Sequence, residues 1–231
     1  VRYSRETFIN RYLGGDRMKI GNWFESDFNL ENAALVTEIA ASCGVNWSII
    51  EAGLRSFRGV PGRMEIIAND HPAMAHAKKK FSVVIDYAHT PESLEGLYRY
   101  ILNRLEAKKG GRMLCVLGSA GGGRDKWKRP EMGRIADMLC DEIILTDEDP
   151  YDEDPVMIMK DVAAGIALKP YRLIEGRRAA IRRALELAEA GDAVVITGKG
   201  SEMWLHQEGG NKIPWSERRI VEECLSELGI H

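Results

Sequence analysis

From Phe81 onward the chain alternates short apolar runs with amphipathic stretches. "FSVVID" (81–86) predicts a buried strand. Leu94, Leu97, Tyr98, Ile101, Leu102 and Leu105 then recur at i, i+3, i+4 and i+7, one face of a helix, with Thr90 placed as N-cap and Pro91 at the first helical position. The cycle continues with strand "RMLCVL" (112–117), a helix from Pro130 to Cys140, strand "EIILT" (142–146) and a helix from Pro155 to Ala167. Strand "YRLI" (171–174), a helix from Arg177 to Ala190, strand "AVVIT" (193–197) and a helix from Glu217 to Leu228 behind Ser216 complete it. Apolar strands alternating with amphipathic helices predict an α/β fold, a mostly parallel sheet covered by helices on both faces.

The first part has another pattern. "NLENAALVTEIAASCGVNWSIIEAGLRSF" (29–57) predicts two helices joined at Gly44 with no strand between them. "RGVPGR" (58–63) carries the marks of a hinge, so a domain boundary is expected near Gly59.

Composition narrows the class. The 231 residues are 45% hydrophobic, enough for a full core, and the net charge of −3 disfavours a nucleic-acid-binding surface. The four cysteines show no C-x-x-C spacing, so buried thiols in a reducing cytosol are expected rather than a disulfide or zinc framework. No metal cluster is predicted. No apolar run approaches the ~18 residues of a membrane span and no signal-peptide pattern opens the chain, so a cytoplasmic protein is expected. With no starting methionine, the chain is expected to begin inside a longer polypeptide.

In such a sheet, ligands bind beyond the carboxyl ends of the strands. Four loops are expected there: "DYAHTPE" (86–92), "GSAGGGRDKWKRP" (118–130), "TDEDPYDEDP" (146–155) and "GKGSE" (198–202). Any one of them could be an ordinary N-cap turn. Four on one edge point to a cleft for something large and anionic. The glycine loop is not a P-loop, because Arg124 and Asp125 follow where Lys and Ser or Thr belong, and G-x-G-x-x-G is missing as well. A nicotinamide dehydrogenase is thereby disfavoured.

"FNLENA", "VPGRMEII", "VIDYAHTPESL", "GGGRDKWKRPEMG", "DEDPYDEDP" and "GKGSE" occur in order. Through them the chain, from about Gly21 to its end, resembles the Mur ligases of peptidoglycan synthesis, in particular those that add the third residue of the stem peptide. The resemblance implies that residues 1–58 end a central ATP-binding domain and that 59–231 form a C-terminal Rossmann-like domain. The N-terminal domain and most of the central one, with its phosphate loop and modified lysine, are missing, so this chain alone is expected to be inactive. It further implies ATP and Mg2+ as co-substrate and cofactor. The partners would be UDP-N-acetylmuramoyl-L-alanyl-D-glutamate and a diamino acid, with no nucleic acid. A non-catalytic binding module and a folylpolyglutamate synthetase-like ligase remain alternatives.

Site residues follow from the same resemblance. Asn29 and Asn32 match adenine-reading asparagines, although Asn29 is also placed to cap a helix. Arg63 matches a phosphate-approaching arginine, Asp86 a carboxylate that accepts from the ribose hydroxyls, and His89 would face the same cleft or make a local turn contact. Tyr87 is assigned to packing. Arg124 matches an arginine that meets a carboxylate of the incoming amino acid. Asp125, Lys126, Lys128 and Arg129 would orient the loop, with simple solvation the alternative for the two lysines. Gly198 and Glu202 match positions that meet the added residue, and Ser201 stands where the family often has histidine. Enzymes adding meso-diaminopimelate carry Asp-Asn-Pro-Arg after the third strand, and here Glu148, Asp149, Pro150 and Tyr151 occupy that place. The missing arginine amid six acids predicts a basic diamino acid without a distal carboxylate, L-lysine first, unless those acids merely cap the next helix.

Overall fold

The computed structural model describes residues 5–15, 22–67, 80–107, 110–123 and 125–230. They divide into two compact units, Val1–Gly59 and Val60–His231.

In the first unit, α1 (Arg5–Phe8) runs into a π-helical turn, Ile9–Leu13. The helices α2 (Asp27–Ser42) and α3 (Trp47–Ser56) follow. Phe8, Leu13, Phe24, Leu30, Ile50 and Leu54 form a small core. Ser26 caps α2, its hydroxyl accepting from the Asn29 amide. Asn29 is thus a first-turn residue and not the cap, which corrects the capping alternative.

The second unit begins with β1 (Glu65–Ile67), β2 (Ser82–Asp86), α4 (Pro91–Ala107), β3 (Met113–Leu117) and α5 (Lys128–Leu139). It continues with β4 (Glu142–Leu145), α6 (Pro155–Ala163), β5 (Tyr171–Leu173), α7 (Arg177–Leu187) and β6 (Ala193–Thr197). A hairpin of β7 (Trp204–His206) and β8 (Lys212–Pro214) precedes α8 (Glu217–Glu227). The six-stranded sheet runs β1-β2-β6-β3-β4-β5, parallel except for β1 against β2. Val83, Ile85, Leu114, Val116, Val194 and Ile196 pack with Ile181, Leu185, Val221 and Leu225 of α7 and α8. The alternate residues Val84, Cys115 and Val195 are equally buried on the opposite face, which explains why these strands read as unbroken apolar runs.

Several boundaries differ from the sequence reading. The helix expected from Pro130 starts at Lys128, which leaves Pro130 in the first turn, where its missing N–H costs little. The helix expected to reach Ala167 stops at Ala163, and Gly165 lies so close to Pro130 that an added Cβ would sit 1.8 Å from the Pro130 carbonyl oxygen. The cysteine expectation is corrected outright. Cys115 in β3 and Cys140, just after α5, form a disulfide 25 residues apart, while Cys43 is exposed and Cys224 is a buried thiol. Spacing rules miss such a pair because the strand–helix unit, not the local sequence, brings its ends together. Among the described residues no helix is long and apolar enough to cross a membrane.

Candidate functional site

Parallel pairing puts the carboxyl ends of β2, β6, β3 and β4 on one edge, so their following loops are neighbours. Asp86 ends β2. Its two carboxylate oxygens accept the amides of Met64 and Ala88, each at 2.7 Å, leaving further lone pairs on both. Burial raises its pKa, opposed by those hydrogen bonds and by the charge of Arg63. The Arg63 guanidinium lies 4.1 Å from the centroid of the Tyr87 ring. His89 Nδ1 is 2.9 Å from the Tyr87 carbonyl oxygen, the local turn contact, and its ring meets the Tyr87 ring edge-on at 4.6 Å.

Tyr87 is not packing alone. Its hydroxyl donates to Glu202 at 2.9 Å, across 115 residues of sequence. Glu202 in turn takes a hydrogen bond from the Lys199 ammonium. Lys199, absent from the sequence-derived set, is fully buried and donates to both oxygens of Asp149 at 2.8 Å. Burial alone would raise the Glu202 pKa, but Lys199 and the Tyr87 hydroxyl hold it below the usual carboxylate range. A buried ammonium persists only when paired in this way. No local pattern flags it, since its Asp149 partner is 50 residues away. The position alone, a lysine between glycines at a strand end, offered a hint.

The loop after β4 holds six acids, and five have structural partners. Asp147 accepts from Gly176, Asp152 from Gly209 and Asp154 from Val156 as the cap of α6. Glu153 accepts from Gly123, Arg129 and Lys126, and these hydrogen bonds pull its pKa down to about 2. Asp149 pairs with Lys199 and accepts from the His206 amide. Glu148 is different: it buries a carboxyl oxygen, Oε2, with no protein partner. Desolvation lifts its pKa to about 7, with Asp149 adding repulsion. The flanking glycines make room for it. A Cβ at Gly198 would stand 2.1 Å from Glu148 Oε2, and one at Gly118 would stand 3.1 Å from Glu148 Cβ. Tyr151, at a positive φ of 52°, stacks on His206 of the β7–β8 hairpin with ring centroids 5.2 Å apart.

Of the glycine-loop cations, Arg129 is buried and pairs with Glu153 and Asp161, and it also donates to the Ala120 carbonyl. Lys126 pairs with Glu153 while remaining largely exposed. Arg124 lies outside the described residues. In the other unit, Asn29 is buried and its side-chain amide donates to the Trp23 carbonyl at 2.9 Å. Asn32 is exposed at the rim of an apolar pocket of about 380 Å³ that includes Trp23, Val36, Ile50 and Phe57.

The family model described as Mur ligase, glutamate ligase domain, matches residues 62–200. A 2,6-diaminopimelate ligase of UDP-N-acetylmuramoyl-L-alanyl-D-glutamate from Clostridium botulinum is 37% identical over 226 residues, 98% of this chain and 44% of that protein. The enzyme of the same name from Gloeobacter violaceus is 40% identical over 200 residues, 86% of this chain and 38% of that one. A solved structure of such a 2,6-diaminopimelate ligase superposes with a TM-score of 0.62 at 30% identity, covering 87% of this chain and 38% of its own. The chain spans less than half the length of these relatives. With a family match across well over half its residues, and with the matched segment containing the strand-edge loops from Arg63 to Lys199, the chain belongs to the Mur ligase family.

Proposed function

We propose that this chain is the C-terminal portion of an ATP-dependent amide-bond ligase that joins a diamino acid to UDP-N-acetylmuramoyl-L-alanyl-D-glutamate. The carrying observation is the buried Glu148 carboxyl with its unsatisfied oxygen, set between two glycines at the strand edge where the incoming amino acid is expected. An orphan buried acceptor of this kind suits a ligand ammonium. Arg63 and Asp86 fit the nucleotide: the arginine supplies charge for phosphates, and the free lone pairs of Asp86 suit ribose hydroxyls. ATP supplies the phosphoryl group that activates the acceptor carboxylate. Among the described residues no cluster of three or more His, Cys, Asp or Glu could hold a metal, and magnesium in such chemistry commonly takes phosphate oxygens as ligands.

For the diamino acid, Tyr151 in place of the expected arginine favours one without a distal carboxylate, L-lysine first. The five engaged acids weaken the general electrostatic case, so this reading rests on Glu148 and Tyr151. The names of the relatives favour 2,6-diaminopimelate as the second reading. The test is a competition assay with the full-length ligase, offering equal lysine, ornithine and meso-diaminopimelate with ATP and the muramyl dipeptide. Lysine is expected to dominate the amide product at least tenfold. A diaminopimelate product overturns the specificity reading, and no amide product overturns the ligase reading.

A further inference from the structure

Tyr87 stands where two parts of the strand edge touch. The turn Val60–Arg63, which carries the phosphate-side arginine, lies against the loop after β6. A Cβ at Gly62 would fall 2.2 Å from the Gly200 carbonyl carbon and the Ser201 nitrogen, and one at Gly200 would fall 2.5 Å from the Gly62 oxygen and 2.8 Å from the Tyr87 Cβ. Both glycines also have positive φ, 66° and 48°. Only glycine at both positions allows this approach. Within it, the tyrosine uses two handles. Its face carries the Arg63 guanidinium, and its hydroxyl holds Glu202, from which Lys199 leads on to Asp149 and so to the His206 amide.

Resting on the ligase reading above, we propose that Tyr87 is a positioning residue that couples the nucleotide side of the cleft, through Arg63, to the amino-acid side, through Glu202 and Lys199. A guanidinium drawn towards phosphates shifts over the aromatic face, and the ring, held at its other end by the hydroxyl, transmits that shift to Glu202. Glu202 is the lever on the far side, because its carboxylate shares the Lys199 ammonium with Asp149. Coupling of this kind is reciprocal: each ligand tightens the other by the same factor.

The experiment is steady-state kinetics of the full-length ligase, measuring the KM for ATP, the KM for the diamino acid and kcat, each at low and high levels of the other substrate. Tyr87→Phe keeps the ring beneath Arg63 and removes only the hydroxyl. It is expected to raise the amino-acid KM about tenfold at high ATP and the ATP KM by a comparable factor at high amino acid, while the ATP KM at low amino acid stays within twofold. Tyr87→Leu removes both handles, so both KM values should rise and the amino-acid KM should no longer depend on ATP concentration. In a Glu202→Ala background, which leaves the hydroxyl no acceptor at that position, Tyr87→Phe should add nothing further to the amino-acid KM. A Phe variant that leaves the amino-acid KM at high ATP within twofold, or that raises the ATP KM equally at low and at high amino acid, overturns the coupling; so does a full additional effect in the Ala background. Wild type that forms no amide overturns the ligase reading and the coupling with it.

Discussion

Glu148 shows how a single buried side chain can make the stability of the fold depend on pH. Its carboxyl is held near 7 by burial, against 4.5 for the unburied group. Below pH 4.5 both folded and unfolded chains hold this proton, and the group costs nothing. Between 4.5 and about 7 the unfolded chain releases it first, so stability falls as pH rises through that window and then levels off. Glu148→Gln removes the titration. Relative to wild type, the variant is expected to gain roughly 2 kcal/mol between pH 5 and pH 8. Urea unfolding at the two pH values measures it. An unchanged difference would mean that Glu148 ionises in the folded protein as easily as in water.

At the scale of elements, the disulfide is the feature with the clearest consequence. It ties the centre of β3 to the end of α5, the helix whose first turn carries Lys128 and Arg129. A closed loop of this length is worth about 3.5 kcal/mol on the chain-entropy account. Cys115→Ser/Cys140→Ser is therefore expected to lower Tm by several degrees. Alkylation under denaturing, non-reducing conditions should modify only Cys43 and Cys224. Four alkylated cysteines would show instead the free thiols that spacing alone suggests. The same scale shows what periodicity can reveal. Strands buried on both faces, such as β3 and β6, were legible because apolar residues fill them, apart from the hydrogen-bonded Thr197 at the end of β6. The hairpin β7–β8 and the edge strand β1 were not: each strand is three residues long and at least partly exposed, so no alternation marks it. The loops of the candidate site were legible as strand-end punctuation. The links between them were hidden, because Tyr87–Glu202 and Lys199–Asp149 join residues 115 and 50 apart.

At the scale of the molecule, the question is what 231 residues can do unaided. The three cations buried in the described residues are each neutralised from within: Arg129 by Glu153 and Asp161, Arg177 by Glu217, and Lys199 by Asp149 and Glu202. Arg177 also donates to the Thr197 carbonyl, fixing the end of β6, and the Trp215 ring N–H donates to Glu217. These charges therefore shape the edge and are not available to meet phosphates. The sequence contains no G-x-x-x-x-G-K-[ST] loop, so it offers the γ-phosphate neither an amide cradle nor a P-loop lysine. Phosphoryl transfer depends on such positioning and charge, since the protein contributes little covalent chemistry to it. The chain by itself is thus expected to hold amino acid weakly and to release no phosphate above the buffer rate from ATP, magnesium, the muramyl dipeptide and a diamino acid. The same mixture with the full-length ligase is expected to release phosphate in step with amide product. Substrate-dependent release by the 231 residues alone would mean that the strand edge assembles a phosphate site from groups now assigned to holding the loops in place.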